Sequence, residues 1–151
     1  MKIFKIITAV LLVGFLGIQF FPTTQNESDT VPITDFVLVN TVPKSVKEKL
    51  EISCYDCHSN NTQYPWYNKM QPVAWFLKDH IKKGKEELNF NEWTTYSNRR
   101  KVSKLRSIIK QIESAEMPLY SYTLVHREAI FSEEDKLMVI NYMKSLKDSI
   151  E

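Results

Sequence analysis

The chain opens with Lys2 and Lys5 around an almost unbroken apolar run that reaches Phe21 and stops at Pro22. Counted from Ile3, that run lies between a signal-peptide core and a membrane span in length. Positive charge at its start orients it with the N-terminus in the cytoplasm and the remainder exported. Neither Gly17-Ile18-Gln19 nor Phe20-Phe21-Pro22 makes a good cleavage site, so residues 1–22 are expected to form an uncleaved signal anchor, a transmembrane helix. Residues 23–41 are polar, rich in Thr, Asn, Asp and Pro, with one short apolar stretch from Phe36 to Val39, and are expected to be a tether.

The remaining residues, 42–151, carry helical periodicity. Pro43 stands where a first helical position would be, with Thr41 as cap, and Val46, Leu50 and Cys54 follow at intervals of four. A second helix opens at Pro72, turns Val73, Phe76, Leu77, His80 and Ile81 inward, and ends at Gly84 in a left-handed cap. Asn89 to Trp93 reads as a short turn. A third helix runs from Asn98 to Ser114 with Val102, Leu105, Ile108, Ile109 and Ile112 on one face. Ser132-Glu133-Glu134-Asp135 is a capping box that starts the last helix, whose inner face is Val139, Met143, Leu146 and Ile150, with Ile140 beside it. No stretch alternates as a strand would, which predicts an all-α domain of about four or five helices around one modest core.

Composition adds little to that picture. A net charge of +2 implies no nucleic-acid partner, and the basic clusters Lys78, Lys82, Lys83, Lys85 and Arg99 to Arg106 read first as solvated helix faces.

The chemistry sits in Cys54-Tyr55-Asp56-Cys57-His58, which holds the only two cysteines of the chain. Cysteines three apart on a helix lie one turn apart on the same face, at about the spacing of the two vinyl groups of a haem, to which their thiols add as thioethers. His58 then lies under the ring as proximal iron ligand. A thioredoxin-like pair needs a βαβ context that is missing here, and structural zinc needs a second ligand pair. A disulfide closing so small a loop adds little stability and leaves His58 unexplained. One covalent haem c is therefore the expected cofactor, and its attachment on the far side of the bacterial inner membrane agrees with export to the periplasm.

Beyond the motif, the chain resembles a bacterial family of small membrane-anchored haem-binding domains. The resemblance rests on Ser53-Cys54-Tyr55-Asp56-Cys57-His58-Ser59, Tyr64-Pro65-Trp66-Tyr67, Asp79-His80 with Gly84, Leu88-Asn89-Phe90 with Trp93, and Met117-Pro118 with Tyr122 and His126. It implies a c-type haem domain held at a membrane and names no substrate. More distantly the helical layout is similar to single-haem cytochrome c, in which a methionine before a proline lies on the far side of the iron.

Three residues compete for that far side. Met117, just before Pro118, presents a thioether from a segment that cannot continue a helix. His80 on its apolar helix face and His126 in Thr123-Leu124-Val125-His126-Arg127 are the alternatives, each with a plain core or surface role as its bland reading. The three rings of Tyr64, Trp66 and Tyr67 are expected to help enclose a porphyrin. With His58 and Met117 on the iron, the expected function is a membrane-tethered single-electron carrier serving redox protein partners, and not an enzyme. A gas or peroxide sensor, or a peroxidase-like enzyme with an open distal side, is the alternative, and a subunit of a larger respiratory complex is a third.

Overall fold

The structure, a computed structural model, describes residues 1–151. It is all-α, with no strand. Helix α1 spans Lys2–Ile18, α2 Phe36–Val39, α3 Lys44–Leu50, α4 Asp56–His58, α5 Val73–Glu87, α6 Asn98–Glu113, α7 Tyr120–Thr123 and α8 Glu133–Ile150. Single 3-10 turns at Trp66–Lys69, Phe90–Thr95 and Arg127–Ala129 link them.

Most helix limits follow from end chemistry. The Ser97 side chain caps α6, and Ser132 with Asp135 forms the reciprocal capping box that starts α8. Helix α3 begins one residue later than expected, with Pro43 just outside it and no side-chain cap from Thr41. The core lies where α8 packs on α6 and α3. Phe36, Leu50, Trp93, Leu105, Val139 and Met143 are its most deeply buried side chains. Phe36 meets the edges of Phe90 and Trp93 at 5.3 and 4.8 Å, so the 3-10 turn after α5 supplies two core rings.

Two expectations about the N-terminal part change. Helix α1 has 17 residues, about 25 Å at about 1.5 Å per residue, against a hydrocarbon layer of roughly 30 Å. No helix is long and apolar enough to cross a membrane, so the expected transmembrane helix is not borne out. Residues 23–41 are packed on the domain and are no free tether. Phe36 is fully buried in the core, Asp35 caps α2 through the Val37 amide, and Asn26 donates to the Ser59 carbonyl and the Thr62 hydroxyl. A polar composition hid these contacts, because the groups that anchor the segment are themselves polar.

Candidate functional site

Helix α3 does not stop at Leu50. It continues through one π-helical turn, Glu51–Tyr55, into α4, with right-handed helical backbone at each junction. Cys54 sits in that wider turn, a device that recurs at functional positions inside helices. The Ser53 hydroxyl donates to the Ala129 carbonyl at 2.9 Å and ties the turn to the segment before α8. After His58 the backbone becomes extended at Ser59 and leaves the helix.

Both cysteines are free thiols and half-buried. Burial pushes the Cys54 thiol up to about 12, with Cys57 beside it adding to the rise. Burial likewise pushes Cys57 up to about 11, helped by the Asp56 carboxylate. Such thiols stay protonated at neutral pH, the reverse of the low-pKa cysteine that redox catalysis requires.

The His58 imidazole is fixed by what it touches. Its Nδ1 lies 3.0 Å from the Leu88 carbonyl, and because a carbonyl only accepts, Nδ1 carries the proton and Nε2 keeps its lone pair. Burial lowers its pKa, partly opposed by the Leu88 and Gly84 carbonyls, so the ring is held neutral. The edge of Phe90 at 6.4 Å completes its surroundings. A histidine oriented through one nitrogen with the other left as a donor is the usual arrangement of a metal-ligating imidazole.

The two residues between the cysteines hold the motif from either side. Tyr55 stacks flat on Phe90 at 4.9 Å, and its hydroxyl donates to the Asp35 carboxylate, which also accepts from Asn91 Nδ2 at 2.7 Å. Asp56 accepts from the Tyr122 hydroxyl at 2.7 Å and from the Gln63 amide at 2.9 Å. Burial and these carboxylates raise the pKa of both tyrosines, which stay neutral. Sequence reasoning missed Asp35; its signal was a helix-capping residue directly before the apolar stretch Phe36 to Val39.

Gly84 has a different role from the one expected. Helix α5 runs on past it to Glu87, and no glycine has a positive φ. A Cβ at position 84 would lie 2.6 Å from the Cys57 carbonyl oxygen. The glycine is there so that α5 can lie against the backbone of the haem motif.

A cavity of about 240 Å³ opens beside the motif, and Cys54, Cys57, His58, His80, Met117 and Tyr122 all lie on its wall. Of the four candidate iron ligands named from the sequence, His58, Met117, His80 and His126, only His126 is missing. Its Nε2 lies 3.2 Å from the Tyr67 hydroxyl and its ring stacks on Tyr122 at 4.3 Å, so it braces the cavity wall from behind. His80 is half-buried with its Nδ1 2.9 Å from the Phe76 carbonyl, which leaves Nε2 free. The rings expected to enclose a porphyrin do not line the cavity. Trp66 points outward, Tyr67 meets His126, and the Tyr64 hydroxyl accepts from the Asn26 amide. The apolar face of α5 also differs, since Ala74 and Ile81 are buried while Val73 and Phe76 are exposed.

The profile of the family described as Haem-binding domain matches residues 13–145. The chain belongs to this family. No curated protein and no solved structure matches it. The residues of this haem-binding domain suit the cofactor: two thiols one turn apart, an imidazole held neutral with a free Nε2, and further sulfur and nitrogen donors on one cavity wall. Four-ligand zinc is a poorer fit, because no group of three or more His, Cys, Asp or Glu side chains converges as a metal site.

Proposed function

We propose that this domain carries one haem c, which thioethers of Cys54 and Cys57 would join to the chain and whose iron His58 Nε2 and Met117 would hold, and that it shuttles single electrons. The observation that carries this reading is the His58 ring, held neutral by burial and aimed by the Leu88 carbonyl, on the same cavity wall as both thiols and Met117. Haem supplies a one-electron couple at iron, and methionine ligation sets that couple at a relatively high potential. The chain's own part is to orient: Leu88 fixes the imidazole, the Asp56–Tyr122 hydrogen bond holds α4 against the segment after Met117, and Gly84 lets α5 lie close behind the motif.

Because His58 and Met117 would both hold the iron, the reading is a carrier without substrate turnover, serving redox proteins on the exported, periplasmic side of the membrane. Helix α1, apolar apart from Lys2, Lys5 and Thr8 and with none of its residues buried, would insert into lipid and hold the domain there. A second reading puts His80 in place of Met117, favoured by the Nδ1 contact to Phe76 that leaves its Nε2 available.

The test is protein matured with the haem c attachment machinery. Haem should remain with the polypeptide after denaturation, and the oxidised form should show the weak near-infrared sulfur-to-iron charge-transfer band. Met117→Ala should abolish that band and let carbon monoxide bind the reduced form, while His80→Ala should leave the band intact. Opening of the site by His80→Ala alone would replace the methionine assignment with a bis-histidine iron. Haem extracted by acid-acetone would overturn covalent attachment.

A further inference from the structure

The end of α1 is not loosely joined to the domain. The Gln19 side chain donates to the Gln71 carbonyl at 3.1 Å and accepts from the Gln71 amide at 2.9 Å. Gln71 Nε2 and the Trp75 indole N–H both donate to the Phe21 carbonyl, each at 3.1 Å. Gln71 is buried, so these bonds form a clamp between the chain leaving α1 and the start of α5. Hydrogen bonds of this kind fix an angle as well as a distance.

Several apolar and aromatic side chains close to the clamp along the chain are exposed. Phe20 and Phe21 are exposed just after α1, and Trp66, Met70 and Trp75 before and within the start of α5. Tryptophan has an apolar body and one polar tip, and it collects where lipid meets water. Phe20 and Phe21 follow directly on α1, in which no residue is buried and Ile3, Phe4, Val10, Leu11 and Leu12 are all exposed. A helix that is apolar apart from Lys2, Lys5 and Thr8, with none of its residues buried, is matched by lipid, and the exposed aromatic side chains extend that match onto the domain.

We propose that these aromatic side chains rest in the headgroup layer of a phospholipid bilayer, and that the Gln19–Gln71–Trp75 clamp fixes the orientation of the domain on it. The inference rests on the insertion of α1 into lipid suggested above, and adds that the domain does not swing. The cavity residue His80 lies about 10 Å along α5 from Val73, at about 1.5 Å per residue, so the haem site keeps a set position relative to the headgroup layer.

The chain's three tryptophans allow a direct test. Trp93 is buried at 1% exposure and serves as an internal reference. The full-length, haem-loaded, reduced protein would be labelled with 5-fluorotryptophan and bound to nanodiscs of phosphatidylethanolamine and phosphatidylglycerol, with fluorine resonances assigned by Trp66→Phe and Trp75→Phe. A gadolinium-chelating lipid should broaden the Trp66 and Trp75 signals beyond detection and spare Trp93. Gln19→Ala with Gln71→Ala should restore both signals while the chain stays bound. If the wild-type chain binds nanodiscs but Trp66 and Trp75 survive the lipid probe and are lost to a soluble gadolinium chelate, the fixed orientation is overturned and α1 insertion stands. Failure to bind nanodiscs at all overturns both.

Discussion

Replacing Gly84 with alanine puts two effects of opposite sign against each other. In an exposed helix interior, Gly→Ala stabilises by about 1 kcal/mol, and Gly84 lies inside α5 with no positive φ to resist the change. Its new Cβ, however, would sit 2.6 Å from the Cys57 carbonyl oxygen and 3.3 Å from both the Cys57 carbonyl carbon and Cβ. Ordinary contact begins near 3.4 Å, so the oxygen must retreat by about 0.8 Å. The atom is backbone and cannot rotate away; α4 must move, and Cys57 and His58 with it. Overpacking of this kind costs about 1–3 kcal/mol, which cancels or exceeds the propensity gain. The net expectation is a destabilisation of up to about 2 kcal/mol and a disturbed haem spectrum, read by urea unfolding and by the absorption of matured protein. Gly14→Ala is the control, because nothing lies within 4 Å of its Cβ. A Gly84→Ala protein as stable as wild type with an unchanged spectrum would refute the close-approach account.

Phe36→Ala should cost about 3–5 kcal/mol in urea unfolding although the residue lies in a polar stretch, because its ring is fully buried against Phe90 and Trp93; a cost below about 1 kcal/mol would return the segment to a tether. Ala115 adopts φ 54° at the end of α6, a left-handed conformation that costs an L-residue about 1–2 kcal/mol, so Ala115→Gly should raise the unfolding midpoint, and a lowered one would contradict the strain. Burial holds the His58 pKa below its ordinary 6.5 in the folded chain, so below about pH 6.5 the unfolded chain binds the proton first. For protein without attached haem, stability should therefore be full above that pH and fall as pH drops below it, and His58→Gln should flatten the slope in urea midpoints taken across that range; an unchanged slope would show that His58 is not held neutral.

Sequence alone reached a haem-binding domain, as the family match bears out, because the pentapeptide that points to haem is contiguous and its spacing acts over a single helical turn. It also placed α5, α6 and α8 to within a few residues, since an amphipathic stripe and a capping box are local signals. What it could not supply were contacts between residues far apart in the chain. Asp35 and Phe36 looked like tether because only the fold brings them to Tyr55 and Trp93. Gly84 looked like a helix end, since its reason lies in the Cys57 backbone and not in its own φ. His126 carried the same chemical promise as His80, and the tertiary structure separated them by stacking one behind Tyr122 and placing the other on the cavity wall. Local interactions are written in neighbouring residues, whereas the neutral state of His58 comes from burial and its orientation from a carbonyl thirty residues away, and only folding supplies either.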